Sequence, residues 1–166
     1  MPCIIKAIRP EDWPSVRAIY EEGMATGLAT FETAAPTWED WDAGHLSCCR
    51  LAARLPDCES LAGWAALSPV SKRKVYAGVA EVSIYVSGVA RGQGVGKALL
   101  RALIVESEQA GIWTLQATIF AVNTASRALH TGCGFREASR LERIAQRDGV
   151  WHDTVILERR SPVVGV

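Results

Sequence analysis

Tyr85-Val86-Ser87-Gly88-Val89-Ala90-Arg91-Gly92-Gln93-Gly94-Val95-Gly96-Lys97-Ala98-Leu99-Leu100 joins a β-branched strand, a glycine-spaced basic loop and the start of an amphipathic helix. Gly92, Gly94 and Gly96 alternate along the loop, and glycine admits positive φ and lets a ligand approach the main chain without a Cβ in the way. Successive N–H groups in such a loop can form an anion nest. The first turn of the following helix adds unpaired donors and the positive end of its dipole. The stretch therefore predicts a seat for a phosphorylated ligand.

Two nucleotide motifs fail on particular residues. A Walker A loop needs glycine where Arg91 stands and a hydroxyl residue where Ala98 stands. A dinucleotide fingerprint beginning at Gly92 needs glycine where Lys97 stands.

Upstream of the loop, Val75 to Val86 reads as a long strand. Within it Ala80, Val82, Ile84 and Val86 face one side and Glu81, Ser83 and Tyr85 the other, because strand side chains alternate. Downstream, Gly96 to Ala110 reads as a helix with Leu99, Leu100, Leu103 and Ile104 on its apolar stripe, and Trp113 to Phe120 as the next strand. Strand, helix, strand at this spacing implies a right-handed crossover between parallel strands.

The rest of the chain reads as an α/β (α+β) arrangement. Cys3 to Ile8 is a strand. A helix follows from Pro10, with Trp13, Val16, Ile19, Tyr20 and Met24 at helical spacing. Gly27 to Pro36 is loop, and Thr37 caps a short helix carrying Trp38 and Trp41. Arg50 to Leu55 and Leu61 to Leu67 form a hairpin around Pro56-Asp57. Asn123 to Thr131 is a second short helix, and two strands from Phe135 join near Asp148-Gly149. The expected domain is single, 1–160, with a loose tail over 161–166.

Of the 166 residues 49% are apolar, enough for a packed core, and 18 basic residues balance 18 acidic ones. The basic residues are dispersed, so neither nucleic acid nor an anionic membrane is the expected partner, and a small molecule is. Five cysteines without a C-x-x-C pair suggest neither a disulfide framework nor a zinc site. His45 and Cys48 can share a helical face, which is far more often packing than ligation, so no metal is expected. No apolar run approaches the ~18 residues of a membrane span, and the N-terminus lacks a signal-peptide pattern, so a cytoplasmic place is the default.

Arg91-Gly92-Gln93-Gly94-Val95-Gly96 resembles the R/Q-x-x-G-x-G/A pyrophosphate loop of the GNAT superfamily of acyl-CoA-dependent N-acetyltransferases. Phe31-Glu32-Thr33, Gly63-Trp64-Ala65-Ala66-Leu67-Ser68-Pro69, the stretch from Tyr76 to Val86 and Ala128-Leu129-His130-Thr131-Gly132-Cys133-Gly134-Phe135 resemble its phosphinothricin and methionine-sulfoximine acetyltransferase branch. The resemblance implies a mixed, mostly antiparallel sheet, flanked by helices and splayed open after Val86, with acetyl-CoA in the gap. Main-chain groups of Ile84, Tyr85 and Val86 would pair with the pantetheine arm, and an N–H near Val86 would polarise the acetyl carbonyl. Arg91, Gly92, Gln93, Gly94, Val95, Gly96 and Lys97 would hold the pyrophosphate. Asn123 and Ser126 share a helix face with Arg127 and His130, and that face would meet the cofactor arm. Asn123 is equally a natural helix N-cap.

Acetyl transfer needs a neutral amine, yet an alkyl amine with pKa about 10 is protonated at neutral pH, so a base is required. Glu81, on the polar face of the long strand, is the candidate; its plain alternative is a solvated strand glutamate. His130 stands where many family members place a tyrosine thought to protonate the leaving thiolate, and a packing histidine is the alternative. Lys72-Arg73-Lys74 is a basic cluster, and Arg73 is the choice for an acceptor oxyanion, set against a merely solvated charge run. Some relatives carry arginine where this chain has Ser71. By the same resemblance Phe31 and Glu32 wall the acceptor cleft, with Val82 and Ser83 beside Glu81. The expected activity is direct acetyl transfer, in a ternary complex, to the amine of a small amino-acid-like substrate by a homodimer. A protein or peptide N-acetyltransferase and an inactive acyl-CoA sensor are the rivals.

Overall fold

The computed structural model describes residues 3–56, 58 and 60–166. Its elements are β1 (Ile4–Ala7), α1 (Trp13–Ala25), α2 (Trp38–Gly44), β2 (Leu51–Arg54), β3 (Leu61–Pro69), β4 (Val79–Val86), α3 (Val95–Gln109), β5 (Thr114–Phe120), α4 (Thr124–Thr131), β6 (Arg136–Arg147) and β7 (Val150–Arg160). Seven strands form one sheet in the order β1-β2-β3-β4-β5-β7-β6. All neighbours are antiparallel except β4 and β5, the pair joined by the α3 crossover. This is the mixed, mostly antiparallel sheet that the sequence predicts.

The sheet separates two apolar layers. On one face Val95, Leu99, Leu100, Leu103 and Ile104 of α3 pack on Leu67, Ala80, Val82, Leu115 and Leu157. Each fully buried leucine contributes about 1.5–3 kcal/mol. On the other face Val16 and Ile19 of α1 and Trp41 of α2 pack on Ala52, Trp64 and Ala66. Thr37 caps α2 by accepting from the Asp40 N–H at 3.2 Å. Trp64 stacks on Tyr85 at 5.0 Å between ring centres, and Tyr20 meets both rings edge-on. Among the described residues, no helix is long and apolar enough to cross a membrane.

Several expectations are corrected. The long strand begins at Val79 rather than Val75, because Lys74–Tyr76 forms a 3-10 turn closed by the Tyr76 and Ala77 N–H groups. α2 stops at Gly44 and His45 is extended, so His45 and Cys48 do not share a helical face. The tail is tied down rather than loose. Ser161 is buried, its N–H donates to the Trp113 carbonyl, and Arg160 donates to the carbonyls of Val164 and Gly165. Asp57, in the expected turn between β2 and β3, lies outside the described residues.

Gly78 is the point where β4 and β5 come together. Its carbonyl accepts from the N–H groups of both Trp113 and Thr114, and a Cβ there would stand 1.9 Å from the Trp113 ring. Gly78→Ala should therefore cost about 1–3 kcal/mol through overpacking, read as a lowered midpoint in chemical denaturation.

Candidate active site

The strand fork. β4 and β5 pair only through Val79–Glu81 and Thr114–Gln116. Beyond that, β4 stays with β3 out to Val86, whereas β5 pairs with β7 along its whole length. The sheet thus opens after Glu81, five residues before the expected Val86, and among the described residues one main-chain edge of Val82–Val86 has no strand partner. An extended chain bearing amide groups can complete such an edge. Ile84 and Val86 turn their side chains to the α3 layer and Tyr85 turns its ring to Trp64, so these residues can serve the gap through main-chain atoms.

At the open end of the fork the glycine loop has the expected geometry at two of three positions. Gly92 and Gly94 have φ of +75° and +82°, and Gly94 is the N-cap of α3. Gly96 is helical and is small for a packing reason: a Cβ would stand 3.2 Å from Leu129 of α4. The N–H groups of Val95, Gly96 and Lys97 lie in the first turn of α3, where intrahelical acceptors are lacking, and they point the helix dipole at the loop. Arg91 and Lys97 are exposed beside them, and Gln93 bridges the loop by donating to the Val89 carbonyl at 2.9 Å. Glu22 of α1 steadies the approach to the loop, its carboxylate accepting the Gly88 N–H at 2.7 Å. Sequence reading missed this contact because it spans α1 and the β4 exit.

Glu81 is at the closed end of the fork. Burial raises its carboxyl pKa above the ordinary value, and the Thr118 hydroxyl, donating at 3.4 Å, partly opposes the shift. Thr118 was not foreseen. Its only sequence trace is parity, two residues beyond Gln116 on the strand that pairs with Glu81. A half-buried carboxylate with a raised pKa is a better proton acceptor than a solvated one.

Ser83 follows Glu81 on the same face and lines a cavity of about 240 Å³. Trp64, Tyr20, Trp41 and His45 form its aromatic walls, and Glu32 and Asp40 stand at its rim. Phe31 packs on Phe120 at 4.5 Å and meets His152 edge-on, which fastens the loop carrying Glu32 to the sheet. Arg147 fastens it again, donating to the carbonyls of Met24 and Thr30 at 2.6 and 2.8 Å.

Three expected site residues sit elsewhere. Val82 turns into the α3 core, 8% exposed, as strand alternation requires, so its side chain cannot line the cleft. Arg73 lies over the Tyr76 ring at 5.6 Å and does not line the cavity. His130 is 1% exposed; its Nδ1 bonds the Ser126 carbonyl at 2.8 Å and its ring meets Phe135 edge-on. Nδ1 therefore carries a proton, and in the neutral ring, which burial favours, the buried Nε2 carries none. Asn123 is the N-cap, accepting the Ser126 N–H at 3.1 Å, while its Nδ2 donates to the Leu28 carbonyl. Cap and substrate loop are thereby linked.

The Acetyltransferase (GNAT) family pattern matches residues 10–135. The chain belongs to the GNAT acetyltransferase family. It is 36% identical to a phosphinothricin N-acetyltransferase of Alcaligenes faecalis, over 95% of this chain and 82% of that one. An L-methionine sulfoximine/L-methionine sulfone acetyltransferase of Pseudomonas aeruginosa is 34% identical over 50% of this chain and 48% of its own. In three dimensions the chain is similar to a phosphinothricin acetyltransferase from Sinorhizobium meliloti solved in complex with AcCoA. The TM-score is 0.88 at 28% identity, covering 99% of this chain and 91% of that one.

His45 and His130 both have their pKa lowered, chiefly by burial. The unfolded chain therefore binds more protons as pH falls through the ordinary histidine value of 6.5, and stability present above that value is lost below it. Thermal melts between pH 7.5 and 5 should show this decline, and His130→Gln should flatten part of it.

Proposed function

We propose that this protein transfers the acetyl group of acetyl-CoA to the amine of a small amino-acid-like acceptor, by direct attack in a ternary complex. The observation that carries this reading is the fork between β4 and β5, with an anion-binding loop at its open end and the half-buried Glu81 carboxylate at its closed end. Acetyl-CoA supplies the acyl thioester. The loop from Arg91 to Lys97 takes its pyrophosphate, and the free edge of β4 takes its amide-bearing arm and polarises the acyl carbonyl. Glu81 removes the proton from the acceptor ammonium, directly or through a water, freeing the lone pair that attacks the acyl carbon. The C–S bond then breaks and the thiolate leaves. Its reference pKa of about 8.5 makes a dedicated acid dispensable, consistent with the buried His130.

The same reading has two copies of the chain pairing, and the exposed Ile144, Val150 and Trp151 of the β6–β7 hairpin offer an apolar surface for that. The five cysteines are all free thiols, which suits a reducing, cytoplasmic compartment.

Two measurements test the reading. Gly94→Val forces a β-branched residue to a positive φ and fills the loop, so calorimetry should show acetyl-CoA binding lost; unchanged affinity would remove the loop from the donor site. Glu81→Gln should lower kcat by about 10²–10⁴ with acetyl-CoA affinity kept. The raised carboxyl pKa of Glu81 means that wild-type rate falls as pH drops through it, and the variant should lose that limb. Wild-type turnover in the variant would exclude Glu81 as the base.

A further inference from the structure

We propose that the cavity between β3–β4 and α1–α2 holds the side chain of the acceptor amino acid and admits an uncharged or cationic group there while disfavouring a phosphinate or carboxylate. This rests on the acetyltransferase reading above and narrows its substrate. The cavity, about 240 Å³, has room for an amino-acid side chain. Ser83 in its wall shares the strand face of Glu81, so a side chain in the cavity leaves the acceptor amine beside the base.

Its charges have one sign. Glu32 and Asp40 stand at the rim, and among the described residues no lysine or arginine lines it. Burial, with help from nearby Arg50, lowers the His45 pKa and favours its neutral form, against the opposing effect of the bond between its Nδ1 and the Trp41 carbonyl at 2.6 Å. Neighbouring cations are engaged by other groups. Arg50 lies over the Trp41 ring at 5.3 Å but is bound to Asp42 and the carbonyls of Leu46 and His45, Arg147 holds Met24 and Thr30, and Arg73 covers Tyr76.

The walls give a second, independent indication. Trp41 and Trp64, 2% and 1% exposed, line the cavity with their rings, while their indole N–H groups are buried away from it. Aromatic faces favour an apolar stem or a cation. An anion would be desolvated against aromatic rings with two carboxylates nearby and no cationic partner. Because Glu32 and Asp40 are exposed, solvent screens the repulsion, and the expected selectivity is several-fold rather than hundreds-fold.

Thiol release from acetyl-CoA, measured with phosphinothricin, glutamate, methionine sulfone and lysine as acceptors, tests this on the wild-type chain. Methionine sulfone and lysine should exceed phosphinothricin and glutamate in kcat/KM by about fivefold or more. Glu32→Gln with Asp40→Asn should narrow that gap, mainly by lowering KM for the anionic acceptors. Glu32→Gln alone, at an exposed loop position, carries the comparison if the double variant does not fold. Equal or greater turnover of phosphinothricin by the wild type, or an unchanged ratio in a folded variant, would overturn the selectivity and leave the acetyltransferase reading standing. No thiol release with any amino acid, while calorimetry still detects bound acetyl-CoA, would overturn the amino-acid reading and this inference with it.

Discussion

The three-residue parallel contact between β4 and β5 is the constraint on which the rest of the molecule depends. Each strand keeps a full ladder on its other side, β4 with β3 and β5 with β7, so the sheet can open without unravelling. The parting leaves main-chain hydrogen-bonding groups of β4 facing a gap, a placement that folded proteins avoid unless water or a ligand meets those groups. It also leaves room for the start of α3 to meet the last turn of α4, where Gly96 lets Leu129 approach. Gly78 and Trp113 hold the closed end, and Glu22 holds the exit from β4 toward the loop.

The two faces of the opened sheet do different work. The α3 side is a dry aliphatic layer that fixes β4 and orients the loop. The α1–α2 side is aromatic and polar, and β4 presents Glu81, Ser83 and Tyr85 to it in strict alternation. A carboxylate partly withdrawn from water, with one hydroxyl donor partly opposing the shift, has its pKa pushed up, in the direction that makes it a better proton acceptor. The loop over this face has little structure of its own. It is fixed by contacts from distant parts of the chain: Phe31 on Phe120, and Arg147 and Asn123 on carbonyls of Met24, Thr30 and Leu28.

What was legible in the sequence was periodic or local. The apolar stripe of α3, the alternation along β4, the Thr37 and Asn123 caps and the positive φ at Gly92 and Gly94 all follow from neighbours within a few residues. Readings that required knowing which way a side chain turns in three dimensions fared less well. Val82 is beside Glu81 in sequence but on the opposite face, and His130 shares a helix with Asn123 but turns into the core. Ser161 to Val166 is short and contains proline and glycine, yet Arg160 and the Trp113 carbonyl hold it in place, through contacts with no local trace.

The sequence by itself determined the order of elements, the crossover and the positive-φ turn of the glycine loop, because helix and strand periods and the freedom of glycine are properties of short segments. The tertiary structure alone decided where the sheet parts, that Thr118 attends Glu81, and that tryptophans from β3 and α2 close a cavity rimmed by Glu32 and Asp40. Strand register and burial are set by packing among segments far apart in the chain, and that packing fixes both the protonation of Glu81 and the chemistry of the space beside it.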